Sequence, residues 1–77
     1  MKRYFINEKD EGYFNLIIGT TREIRSLYRT LANKGYTPVF ANNPIFRDNA
    51  MYGIILDHIG CYYVVNSDSI VRFLVAV

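Results

Sequence analysis

The strongest constraint on the fold of this 77-residue chain is an amphipathic helix with a recognisable start and end. Four apolar or aromatic residues recur at the i, i+3, i+4, i+7 spacing of one helical stripe: Ile24, Leu27, Tyr28 and Leu31. Before the stripe, Thr20 and Glu23 have the spacing of a capping box. After it, Gly35 can adopt the left-handed conformation common just past a helix. The pattern predicts a helix over residues 20–34 that buries one face.

Short segments rich in aromatic and β-branched residues flank this helix and predict strands. Residues 3–7 and 13–18, separated by a charged stretch, are typical of a hairpin. Residues 51–57 and 61–66 predict a second hairpin, in which Gly53 would mark a bulge. The face of the first hairpin that carries Phe14, Leu16 and Ile18 is the better candidate for the core.

The segment after the helix predicts a sheet edge and then a long loop. Residues 36–40 look extended, but Pro38 has no amide donor and therefore belongs on an edge. Turn-forming residues dominate 41–49 and enclose Ile45 and Phe46. These two apolar residues would either form an exposed anchor or pack under the sheet.

The final segment fits two secondary structures. Ser67 and Asp68 would suit the start of a helix, whereas apolar residues alternate along the strand-like sequence Val71, Phe73, Val75 and Val77. Because β-branched residues dominate, we predict a strand. The predicted fold is α+β: a small antiparallel sheet with one amphipathic helix on one face, in the order ββα followed by three or four short strands.

Length and composition bound the class of protein. The chain has room for a single domain, residues 1–77, and its 51% hydrophobic content excludes a disordered protein. So small a body hides few apolar side chains, which predicts a homodimer through a strand edge or a tyrosine-rich face. Charged residues interrupt the start and every apolar run is short, so we expect a cytoplasmic protein without a membrane segment.

Three arginines form the most pointed candidate for binding. At about 100° per residue, Arg22, Arg25 and Arg29 fall in a narrow sector opposite the buried stripe. Guanidinium groups in line suit phosphates or an acidic protein surface. The competing interpretation is an ordinary solvated helix face, and the net charge of +2 is too small to indicate nucleic acid by itself.

Tyrosines of the second predicted hairpin are the other candidate. Tyr52, Tyr62 and Tyr63 bring large amphipathic rings to one region, as is common at protein interfaces. The alternative is that these rings form core contacts or cross-strand pairs.

No residue pattern indicates catalysis, a cofactor or a metal. The chain has one cysteine and one histidine, Cys61 and His58, which cannot form an internal disulfide or a zinc site. With Asp57 they surround a predicted turn, where an ordinary turn role is favoured. There is no glycine-rich phosphate loop, paired-carboxylate arrangement or nucleophile elbow. We therefore expect a protein that is not an enzyme.

Leu31, Gly35 and Tyr36 lead from the predicted helix into the following strands and Phe46. This passage resembles the helix and following strands of HicA-like toxins, which have a double-stranded-RNA-binding-domain fold. Those toxins have a histidine on the strand after the helix, whereas this chain has Asn42 and Asn43 there. We do not assign the family, and RNA cleavage through His58 ranks as the last of three hypotheses.

The leading hypothesis is a small protein-binding inhibitor or accessory factor that occupies a surface of a host protein. The residue usage of this chain, rich in asparagine, tyrosine and isoleucine, is also typical of AT-rich phage or mobile-element genomes. The three tyrosines would be anchors and the three arginines a charged rim. The alternative is a nucleic-acid-binding domain that contacts phosphates through the arginines.

Overall fold

The computed structural model of the chain describes residues 1–8, 12–39 and 46–76. Its elements follow the order β1 (Lys2–Glu8), β2 (Gly12–Thr20), α1 (Thr21–Asn33), β3 (Thr37–Pro38), β4 (Met51–Leu56), β5 (Cys61–Asn66) and α2 (Ser67–Ala76). The strands form one sheet in the order β1-β2-β4-β5-β3. The predicted α+β class is confirmed. Among the helices of the described residues, none is long and apolar enough to cross a membrane.

The sheet is mixed, whereas the sequence predicted an antiparallel one. Strands β1, β2, β4 and β5 pair antiparallel, but the short β3 pairs parallel with β5. The cause is α1, which carries the chain back along the sheet so that β3 runs in the same direction as β2. The prediction that Pro38 lies on a sheet edge is confirmed.

Both predicted hairpins are present, but the predicted bulge at Gly53 is wrong. Gly53 pairs in regular register with Ile18 on one side and Val65 on the other. A Cβ atom at this position would lie 3.0 Å from Leu16 Cδ1 and 3.2 Å from Ile70 Cγ1. Glycine is therefore needed here because side chains of the neighbouring strands and of the second helix crowd this position.

Helix α1 begins and ends as its sequence predicts. The Glu23 amide donates to the Thr20 hydroxyl at 3.3 Å, and the Thr20 amide donates to the Glu23 carboxylate at 3.0 Å. The hydrogen bond from the Thr20 amide lowers the pKa of Glu23, and the contact with the Met1 ammonium group lowers it further to a smaller extent. Gly35, just after the helix, has φ +93°. The capping box and the terminal glycine are both confirmed.

The predicted final strand is wrong, because these residues form helix α2. Asn66 starts the helix, since its side-chain oxygen accepts a hydrogen bond from the Ser69 amide at 3.0 Å. Ile70 is buried against the sheet. Covering an apolar sheet face outweighs the β propensity of the valines, and Val77 lies outside the described residues.

The two helices lie on opposite faces of the sheet, and each covers one part of the core. Helix α1 packs on a cluster formed by Ile24, Leu31, Tyr52, Ile54 and Tyr62. Helix α2 packs on a cluster formed by Leu16, Ile55, Val65 and Ile70, and Phe14 and Ile18 contact this cluster. The predicted core face of β2 is therefore confirmed, and the sheet is covered on both sides where a single covered face was predicted.

Candidate functional site

Helix α1 brings the three candidate arginines together along one open groove. Arg22, Arg25 and Arg29 line this groove, which has a volume of about 1030 Å³ and whose opposite wall is residues 48–51. Arg22 and Arg29 are exposed, and Arg25 is half-buried. Because a helix rises about 1.5 Å per residue, the row spans about 10.5 Å. We call this feature the arginine groove.

Arg25 is held in place by an aromatic contact. Its guanidinium carbon lies 5.6 Å from the centre of the Phe46 ring, which is a cation–π distance. The Phe46 ring in turn meets Tyr52 edge to face, with ring centres 5.2 Å apart. Of the predicted apolar loop pair, Phe46 is thus half-buried beside the groove, and Ile45 lies outside the described residues.

The opposite wall is attached to the start of α1 through Thr21, which is only 6% exposed. The Thr21 hydroxyl donates to the Arg47 carbonyl at 2.6 Å and accepts from the Ala50 amide at 3.2 Å. The Thr21 amide also donates to the Ala50 carbonyl at 3.0 Å. Between Arg47 and Ala50, the residue Asn49 has φ +57°, as a tight turn requires. These bonds hold the opposite wall against the start of α1.

No local sequence pattern indicates this role of Thr21. Local patterns identify Thr20 as a cap. They do not indicate that the next residue, Thr21, forms hydrogen bonds with Arg47 and Ala50, which are 26 and 29 residues further along the chain. Asn49 carried the only usable signal, since asparagine near Asp48 favours a turn. A turn prediction does not say what the turn packs against.

The arginine groove has an excess of positive charge. Its lining holds three arginines and one carboxylate, that of Asp48, for a net charge of +2. Within the described ranges, the only ion pair joins the Met1 ammonium group to Glu23 at 3.1 Å. None of the three guanidinium groups therefore has a carboxylate partner there. Ser26 and Asn33 add side chains that can hydrogen-bond an anion.

The structure separates the three candidate tyrosines and corrects part of the predicted site. Tyr62 is fully buried, and its hydroxyl donates to the Tyr28 carbonyl at 3.2 Å. Burial, and secondarily the neighbouring Tyr28, raise the pKa of Tyr62. Tyr52 is also buried, and its hydroxyl accepts a bond from the Arg47 amide at 2.8 Å. Neither ring is at the surface, so neither can be the predicted anchor.

Tyr63 lies on the other face of the sheet because neighbouring strand residues alternate. It is half-buried against the cluster under α2. No surface therefore contains all three tyrosines, and a role of Tyr63 in binding stays a prediction.

The residues around the second hairpin turn have a structural role. The Asp57 carboxylate accepts hydrogen bonds from the Ile59 amide at 3.0 Å and the Cys61 amide at 2.8 Å. Gly60 completes the turn with φ +91°. Of the hydrogen bonds described for the chain, none joins His58 to Cys61. Across the same described ranges, no three His, Cys, Asp or Glu residues are grouped so that they could hold a metal ion.

The arginine groove can bind an extended anion that carries several acceptor oxygens. Its middle cation, Arg25, contacts the Phe46 ring, and the row faces a wall that Thr21 holds in place. Comparison with known proteins adds no candidate ligand, because no family model, curated protein or solved structure matches the chain. The chemistry of the groove therefore defines the class of ligand.

Proposed function

We propose that this chain is a non-enzymatic nucleic-acid-binding protein that contacts phosphates through the arginine groove. The observation that supports this most is the row of Arg22, Arg25 and Arg29 in one open groove, without a carboxylate partner in the described residues. A guanidinium group offers a planar fork of donors that matches two phosphate oxygens. Three such groups in a row suit a chain of phosphates.

The shape and lining of the groove favour a polyanion over a protein surface. Protein interfaces have an apolar and aromatic centre, whereas Tyr52 and Tyr62 are buried under α1 and cannot supply one here. The row of arginines spans about 10.5 Å. One strand of a duplex rises about 3.4 Å per phosphate, so this length corresponds to about three nucleotides. A single small anion would contact only part of the row.

The direct test is binding of fluorescently labelled single- and double-stranded DNA and RNA oligonucleotides, followed by anisotropy at about 50 mM salt. We expect the Arg22→Gln/Arg29→Gln variant to bind at least about tenfold more weakly, because two charge-assisted hydrogen bonds are lost. The matched control is Arg3→Gln/Lys34→Gln, which removes the same charge from exposed sites outside the groove. We expect that control to change affinity by less than about threefold.

Both variants replace exposed residues, so their free energies of unfolding should stay within about 0.5 kcal/mol of the wild type. Circular dichroism during urea denaturation checks this. Two results would contradict the proposal: no oligonucleotide binds the wild type at low salt, or the two variants lose affinity equally. Equal loss would mean that net charge alone, and not the groove, attracts the probe.

A second candidate is the protein-binding inhibitor or accessory factor that the sequence favoured, of phage or mobile-element origin. It is supported by Met1, Met51 and Val71, which are exposed around a cleft of about 460 Å³. Flexible methionine side chains suit a binding surface. This candidate would be favoured if the wild type bound no oligonucleotide but bound a protein of its host, and if the Met51→Glu variant no longer bound that protein.

A further inference from the structure

The two edges of the sheet differ in how they are protected. Strand β3 has two residues, one of which is Pro38, and so offers little backbone for pairing. Strand β1 has seven residues and pairs in regular register with β2 along its whole length. On its outer side, no strand of the described residues pairs with it. The β1 edge is therefore a long row of backbone donors and acceptors.

Phe5, at the centre of β1, is 70% exposed. Tyr4 packs toward the α2 side of the sheet, so Phe5 points toward the α1 side. Helix α1 packs mainly over β2 and β4. A large aromatic side chain in the middle of an uncovered edge strand marks a site for pairing with another strand.

We propose that β1 pairs with β1 of a second copy of this chain, antiparallel and centred on Phe5. Charge complementarity identifies the occupant: β1 has Lys2 at one end and Glu8 at the other. Antiparallel pairing places Lys2 of each copy opposite Glu8 of the other, whereas parallel pairing places like charges together. The strand is therefore complementary to itself.

The centred register is also the best of the antiparallel registers. Directly opposite residues share a face, so a symmetric pair can shift only in steps of two residues. Centring on Phe5 pairs all seven residues, with Phe5 opposite Phe5 and Tyr4 opposite Ile6. Centring on Tyr4 or Ile6 removes the Lys2–Glu8 match and leaves Phe5 opposite a polar residue, Arg3 or Asn7.

The symmetry of this dimer has a consequence for the arginine groove. The two-fold axis of an antiparallel strand pair is perpendicular to the sheet, so both α1 helices lie on the same face. With strands about 4.8 Å apart and α1 over β2 and β4, the two helices are roughly 20 Å apart. The dimer then presents two grooves to one side. This consequence rests on the proposed function, whereas the dimer itself does not.

The mass of the protein in solution, measured without nucleic acid by light scattering across a range of concentrations, tests the dimer. We expect twice the 9.0 kDa mass of one chain. Phe5→Lys places two positive charges against each other at the two-fold axis and should weaken dimerisation at least about tenfold. The matched control Val39→Lys changes another exposed apolar residue, beside the β3 edge, and should leave the dimer intact.

Charge reversal tests the register. Lys2→Glu alone and Glu8→Lys alone should each weaken the dimer, because like charges then face each other at both ends. An equimolar mixture of the two variants should form a heterodimer, because every end pair is again complementary. A wild-type mass of 9.0 kDa at high concentration, or a dimer unaffected by Phe5→Lys, would overturn the proposal. Failure of the mixture to pair would overturn the register. None of these results depends on oligonucleotide binding.

Discussion

Helix α1 separates two regions of the molecule with opposite properties. On its inner side, Tyr62 is fully buried and bonds the Tyr28 carbonyl of the helix. On its outer side, Arg22 and Arg29 are exposed along an open groove and have no carboxylate partner in the described ranges. The inner region is closed to solvent, and the Tyr62 hydroxyl has a hydrogen-bond partner. The outer region has guanidinium donors that no carboxylate of the described residues pairs with.

Stability and binding depend on opposite sides of α1. A tyrosine buries about 150–250 Å² and tolerates the interior once its hydroxyl has a partner. A guanidinium group cannot be buried unpaired without a large desolvation cost. The tyrosines therefore hold α1 on the sheet, and the arginines remain available to a ligand. Changes on the inner side should affect folding, and changes on the outer side should affect binding.

The largest expected effect is on the inner side. Tyr62→Ala leaves a cavity under α1 and should lower the free energy of unfolding by about 3–5 kcal/mol, a large share of the stability of a small domain. Urea denaturation followed by circular dichroism measures the change. A loss below about 1 kcal/mol would mean that the inner side does not hold the fold together.

A smaller effect is expected when only the hydroxyl is removed. Tyr62→Phe keeps the ring but loses the bond to the Tyr28 carbonyl, which should cost about 1 kcal/mol of unfolding free energy at pH 7. The same urea denaturation measures it. Comparison with Tyr62→Ala separates the packing of the ring from its hydrogen bond.

The difference in unfolding free energy between the wild type and Tyr62→Phe should depend on pH. Burial raises the pKa of Tyr62 in the folded chain, so the unfolded chain loses this proton first. The contribution of the tyrosine is fully present below about pH 10, the ordinary tyrosine pKa, and is lost as the pH rises through the raised pKa. The difference in stability between the wild type and Tyr62→Phe should therefore shrink above about pH 10. A difference that stays constant or grows would contradict the assignment.

Local signals made the helix and the hairpins predictable from the sequence. The Thr20 and Glu23 spacing, the apolar stripe of α1 and the glycine after it all act over a few residues. The arginine row followed from helical geometry alone. Helix α2 was missed because its valines favour a strand more strongly than Ser67 and Asp68 favour a helix start, and the apolar sheet face beneath Ile70 decides for the helix.

The remaining features depend on contacts between distant parts of the chain. Tyr62 is buried because α1 covers its side of β5, which no local pattern around Tyr62 reveals. Gly53 is explained only by the nearby side chains of Leu16, Val65 and Ile70, which come from three other elements. The wall of the arginine groove depends on a bond between Thr21 and Arg47, which are 26 residues apart. Such contacts are set by the fold as a whole.

The claim that the arginine groove neutralises nucleic-acid phosphates is tested by the salt dependence of binding. If Arg22, Arg25 and Arg29 each contact one phosphate of a DNA duplex, the logarithm of the binding constant should fall against the logarithm of salt concentration with a slope of about −2.7 per bound chain. The Arg22→Gln/Arg29→Gln variant should show a slope of about −0.9, because one contact remains. Equal slopes for the wild type and this variant would contradict the claim.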